Sequence, residues 1–136
     1  MARFYPAFYI TDGIVGAGQR NDATDVKLLK SMFVGLRRQA PNTWSGIGQM
    51  TVDGAWSRLL EEHIRAFQQT GYGPNRLVVD GIVHPMRQIQ GDLRSTFRSG
   101  IGSTLYWLNV ALMANAPREQ ATIGANLNLR AITEVR

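Results

Sequence analysis

The chain has 136 residues, 44% hydrophobic and 18% charged, a balance that suits one globular domain and argues against a disordered chain. It holds no Cys, so disulfides, thiolate nucleophiles and cysteine metal sites are excluded. The formal net charge is +5, and thirteen of the fifteen basic residues are Arg, scattered from Arg3 to Arg136 without a basic run. Such a surface attracts polyanions in general but carries no specific nucleic-acid motif.

The opening MARFYPAFYITDG has one Arg and an aromatic run broken by Pro6. It lacks the apolar stretch and small-residue cleavage site of a secretory signal. No apolar run approaches the roughly 20 residues that a membrane span needs. The expectation is a chain that is cytoplasmic as made, has no membrane span, and reaches an envelope only by non-classical export.

Residues 3–10 are aromatic and β-prone, and Pro6 restricts them to an edge strand or extended arm. Residues 11–22 read as loop. Asn21, Asp22 and Thr24 are candidate N-caps for a first helix, in which Val26, Leu29, Met32, Phe33 and Leu36 form one face. Arg37 and Arg38 close its last turn, where positive charge suits the helix dipole. Residues 39–55 read as a long loop. Its Trp44 is either a free aromatic contact or a lid over the core.

A second helix is expected from Ser57, its cap, to Gln69, with Leu60, Ile64 and Phe67 inward. Pro85 opens a third helical stretch carrying Met86, Ile89, Leu93 and Phe97. Residues 103–115 repeat the helical pattern through Leu105, Leu108 and Leu112, and Pro117 is expected to stop it. The tail alternates weakly at Leu127 and Leu129, which suggests a strand pairing with the N-terminal arm.

Two segments echo each other: Val52-Asp53-Gly54-Ala55-Trp56-Ser57 and Val79-Asp80-Gly81-Ile82-Val83-His84-Pro85. Each is a β-branched residue, an Asp-Gly turn signal, two apolar residues and a helix start. Around this repeat the order is Val15-Gly16, Asn21, Asp25-Val26, Asp53-Gly54, Trp56, Phe67-Gln68, Asp80-Gly81 and Pro85. In that order and spacing, residues 14–89 resemble the peptidoglycan-binding-domain-like family, a small three-helix module. The chain departs from the family's usual residues at Lys30 (Gln), at Ser57 and His84 (Gly), and at Leu60 and Arg87 (Thr).

The resemblance implies a mainly α fold. The expected architecture is a small helical bundle of the peptidoglycan-binding-domain-like type with long connecting loops, an extra C-terminal helix and short terminal strands. The expected divisions are an arm at 1–13, the three-helix domain at 14–98, and a helical extension and tail at 99–136. It also implies peptidoglycan, or another cell-wall polymer, as partner. The site is then expected at the two turns and the second helix: Asp53, Gly54, Trp56, Arg65, Gln68, Asp80 and Gly81. Each has a plainer role open to it. Trp56 can cap the core, the aspartates can bond their own turns, Gln68 can cap carbonyls, and Arg65 can pair with Glu61 or Glu62.

No catalytic residues, cofactor or metal are expected. Glu61 and Glu62 are adjacent and diverge by about 100° on a helix, so they cannot flank one glycosidic bond. His63 and His84 are too few for zinc. Gly13-Ile14-Val15-Gly16-Ala17-Gly18 lacks the spacing of a dinucleotide fingerprint. Two functions follow: a non-catalytic wall-binding module, of the kind carried by a contractile secretion system or phage, or a protein-interaction module that reuses the fold. In the second, the apolar helix at 103–115 presents the partner surface.

Overall fold

The computed structural model describes residues 9, 11–70, 77–85 and 104–127. They form a mainly helical protein: α1 (Ala23–Gln39), a 3-10 turn (Pro41–Trp44), α2 (Arg58–Gln69), α3 (Thr104–Asn115) and α4 (Pro117–Leu127). The third expected helix, beyond Pro85, lies outside the described residues, as do most of the N-terminal arm and the last nine residues.

The ends of α1 and α2 follow local chemistry. The Asp22 carboxylate accepts from Thr24 N at 3.1 Å and caps α1. Ser57 Oγ accepts from Leu60 N at 3.2 Å and caps α2. Asp25, in the first turn of α1, is buried and accepts from Asp12 N and Gly13 N, both at 3.0 Å. It therefore ties the loop before the helix to its first turn. Burial pushes its carboxyl up, against the lowering effect of those two bonds.

α1 is the central element. Val26, Leu29, Met32, Phe33 and Leu36 are buried as their spacing predicts, and Leu28 and Lys30 are buried as well. The second buried side exists because both α3 and α4 pack on α1. At one point α4 comes so close that a Cβ on Gly35 would sit 3.0 Å from Glu119 Cβ. Arg38 Nη1 donates to Glu119 Oε2 at 2.9 Å beside this approach. α2 meets α1 through Phe67, whose ring lies edge-on to Phe33 at 6.1 Å.

A single hydrophobic core runs from Tyr9 through α1, the 3-10 turn, α2 and Val83 to α3 and α4. Residues 41–44, expected within a long loop, make a tight helical turn that drives Trp44 into this core, where it is 1% exposed. Trp44 is neither a lid nor a free contact. Its ring stacks on His63 at 6.0 Å, and its indole N–H donates to His63 O at 3.1 Å.

Two expectations for the C-terminal part are corrected. Pro117 does not end the helical structure; it begins α4 directly after Ala116. Proline lacks the N–H that a helix interior needs, but at the first position of a helix that N–H has no partner in any case. Ala116 serves both helices, donating its N–H to Leu112 O at 2.8 Å and accepting from Gln120 N at 2.9 Å. Residues 121–127, expected at the start of a strand-forming tail, are helical, with Gln120 and Ile123 buried. The inward spacing of three follows a helix rather than a strand.

No strand is formed among the described residues. The sole β-type pairing there is an isolated antiparallel bridge, with Val15 N donating to Val83 O at 3.0 Å and Val83 N to Val15 O at 2.8 Å. Among the same residues no helix is long and apolar enough to cross a membrane.

Tyr9 is held by side-chain chemistry instead of a strand. The fully buried Asn109 of α3 accepts from Tyr9 N at 2.7 Å and donates to Tyr9 O at 2.9 Å. Its amide thus takes the place of a neighbouring strand's peptide group. The Tyr9 hydroxyl donates to Gln120 O of α4 at 2.7 Å. Replacing Asn109 with Leu should leave two buried backbone groups unpaired and cost about 2–4 kcal/mol in a urea melt. The Tyr9 amide should lose its protection from hydrogen exchange in the same variant.

Candidate functional site

The two Asp-Gly turns share a bond pattern as well as a sequence. In the first, Asp53 Oδ1 accepts from Ala55 N at 3.1 Å. In the second, Asp80 Oδ1 accepts from Ile82 N at 2.9 Å. Each carboxylate therefore bonds the backbone N–H two residues on, the local habit of aspartate in turns. Each also receives a side chain from the helix that precedes it: Lys30 of α1 donates to Asp53 Oδ1 at 2.6 Å, and Gln68 of α2 to Asp80 Oδ1 at 3.2 Å.

The first clamp is ionic. Lys30 is only 3% exposed, whereas the Asp53 side chain is 54% exposed. The hydrogen bond from Lys30, helped by that from Ala55 N, holds the Asp53 carboxyl below the usual carboxylate range. Gly54 lies against α1, where a Cβ would come within 2.9 Å of Ala23 Cβ. Trp56 is half-buried and packs on the core. Its buried indole N–H has no hydrogen-bond partner among the described residues.

The second clamp is neutral and more complete. Gln68 is 2% exposed. Its Oε1 accepts from Asp80 N at 3.1 Å and Gly81 N at 2.9 Å. Its Nε2 also donates to Ile82 O at 3.1 Å and Thr104 Oγ1 at 3.0 Å. Gly81 has φ +72°, a left-handed backbone that favours glycine, and a Cβ there would press on Arg65 Nε at 3.0 Å. Arg65 pairs with Glu61 Oε2 at 2.8 Å, one helical turn away, and donates to Asp80 O at 3.2 Å.

The structure thus brings Arg65, Gln68, Asp80 and Gly81 together on α2, and gathers Asp53 and Gly54 against α1. Gln68 faces inward with its polar atoms engaged. Outward from the turns stand valines. Of the four exposed large hydrophobic residues among those described, Val52, Val78 and Val79 lead into the two Asp-Gly pairs; the fourth is Met113. Sequence reasoning named neither Lys30 as a clamp nor the valines as surface. The repeat itself held the signal, because Val52 and Val79 occupy the same place in it.

A second polar node lies behind Trp44. His63 Nδ1 is 2.7 Å from Leu59 O, and a carbonyl only accepts, so Nδ1 carries the hydrogen. Nε2 is then the acceptor for Arg37 Nη1 at 2.9 Å, and the ring is neutral. Burial first, and the Arg37 charge beside it, push the His63 pKa down; the Leu59 bond and Glu62 oppose them. Among the described residues no cluster of His, Asp or Glu is arranged to hold a metal ion.

No family model matches the chain, and no curated protein or solved structure matches it.

Two measurements check this geometry. Gln68→Met should leave the Asp80 and Gly81 N–H groups without an acceptor and cost about 2–4 kcal/mol by chemical denaturation. His63 titrates lower in the folded chain than the ordinary value of about 6.5. The unfolded chain then binds more protons, so its contribution to stability is complete above that value and declines as pH falls toward the folded pKa. The melting temperature should drop between about pH 7.5 and 5.5, above the carboxylate range, and the drop should flatten in His63→Gln.

Proposed function

We propose that this chain is a non-catalytic recognition module for a cell-wall polymer, peptidoglycan in the first instance. The observation that carries the reading is the repeated turn: two Asp-Gly units, each clamped by a preceding helix and each introduced by exposed valine. Recognition would be shallow. Val52 and Val79 offer apolar surface to sugar C–H groups, while the exposed Asp53 carboxylate and Arg65 guanidinium meet hydroxyl, amide and carboxylate groups. Trp56 supports the first turn from below. Gln68, Asp80 and Gly81 contribute by fixing the second turn's shape. A net charge of +5 adds attraction to an acidic wall, and a per-site affinity of about 4–8 kcal/mol suits a repeating ligand. Carriage by a contractile secretion system or phage belongs to the same reading.

A protein-interaction module is the second reading, favoured by one observation. The most polar of the expected ligand residues, Gln68, is spent inside the fold, and the surface left at the turns is largely valine. A folded partner would use that surface without needing the glutamine.

Co-sedimentation with insoluble peptidoglycan sacculi tests the proposal. The protein should pellet in both low salt and about 0.5 M salt, where exposed-charge attraction is screened. Val52→Ser/Val79→Ser, with an unchanged circular dichroism spectrum, should weaken binding about tenfold, equivalent to about 1.4 kcal/mol. This pair spares Asp53, whose removal would strand the buried Lys30. Pelleting that disappears with salt would reduce the effect to net charge. Absence of pelleting at any salt would leave the protein-partner reading.

A further inference from the structure

We propose that the groove between the C-terminal end of α1 and residues 41–50 binds the free carboxylate of a small peptide or peptide-like molecule. The groove has a volume of about 650 Å³ and shares no residue with the two Asp-Gly turns. It therefore stands independently of the wall-binding reading.

Its character comes from Arg37. The guanidinium is held in one orientation by neutral acceptors: Ile47 O, Gly48 O and His63 Nε2. Nη1 spends its two N–H groups on Gly48 O and His63, and Nη2 spends one on Ile47 O. The Nε–H and the second Nη2–H have no protein partner among the described residues. No carboxylate among those residues lies within ion-pair distance of Arg37; the ion pairs there belong to Arg20, Lys30, Arg38 and Arg65. A fixed cation with unspent planar donors suits a carboxylate, the planar anion that accepts two guanidinium N–H bonds. Because the loop already orders Arg37, binding loses little side-chain freedom.

The charges around the groove point the same way. Arg38 also lines it and is paired with Glu119 at 2.9 Å, so Arg37, Arg38 and Glu119 together carry +1. The end of α1 contributes about −0.5 of a charge, which lowers this field without reversing it. A monoanion is matched. The remaining lining is of two kinds: Val34, Pro41 and Met50 are apolar, and Ser45 and Gln49 are polar. A short aliphatic side chain and a peptide amide would use both, whereas a bare inorganic anion would use neither.

The test is a two-dimensional NMR titration of the unaltered chain at about 0.15 M ionic strength, where long-range attraction is screened. The probes are N-acetyl-alanyl-alanine, its C-terminal amide and inorganic phosphate. The free acid should shift amide signals within residues 34–50. The C-terminal amide should bind at least about tenfold more weakly, because it cannot accept a charge-assisted pair of bonds. Arg37→Gln should abolish the response, but that variant also releases the loop, so the comparison of acid with amide decides. Equal binding of acid and amide, shifts centred elsewhere, or no shifts would overturn the assignment. Phosphate binding as tight as the free acid would overturn it too, by reducing the site to a general anion attractor.

Discussion

A tight turn can enter a protein interior only if its exposed peptide groups find partners there, and in this chain Gln68 supplies them. Each unpaired buried N–H would cost about 1–3 kcal/mol. Gln68 accepts from two successive N–H groups at Asp80 and Gly81, and donates to the Ile82 carbonyl and the Thr104 hydroxyl. One side chain thereby joins α2, the segment at 77–85 and α3. The consequences spread outward. Val83, just beyond the turn, is placed to pair with Val15, and Val15 leads into the loop that Asp25 ties to α1.

Lys30 and Asp53 solve the same problem with charge. A buried ammonium is costly unless it is paired and hydrogen-bonded. Here the cost is limited because Asp53 remains largely in water, so the pair sits at the edge of the fold rather than in its centre. The two clamps assign roles within the repeat. Side chains that reach the turns from the helices are structural, and the residues displayed to solvent are those that precede and flank the turns. Any ligand therefore meets valines, one carboxylate and one guanidinium on a rigid backbone, not a ring of free polar groups.

The opposite side of α1 follows a different logic. Trp44, His63, Phe33 and Arg37 form one packed node, in which aromatic stacking and a neutral imidazole hold a loop of small and polar residues. The loop in turn fixes the Arg37 charge against the groove. Protonating His63 would replace an acceptor with a donor facing the guanidinium, so the neutral ring is a condition of the loop's geometry. The molecule thus has two surfaces of distinct chemistry, an apolar-and-charged strip at the turns and a cationic groove at the end of α1.

The sequence by itself determined the elements whose signals are local. Asp22 and Ser57 cap helices through bonds two and three residues away, and the apolar spacing of α1, α2 and α3 needs only the helical period. The Asp-Gly repeat likewise encodes its own turn bonds. Only the tertiary structure decided what depends on distant partners. Lys30 and Gln68 look like solvent-facing polar residues until the turns 23 and 12 residues away close on them. Leu28 reads as surplus to one helical face until α3 and α4 cover the other side. Trp44 lies in a stretch with every mark of a loop, yet is buried because His63 and Phe33 complete its pocket. Pro117 carries the same missing N–H in either role. Whether that absence ends one helix or begins another depends on whether the next turn, with Gln120 and Ile123, has a core to pack against.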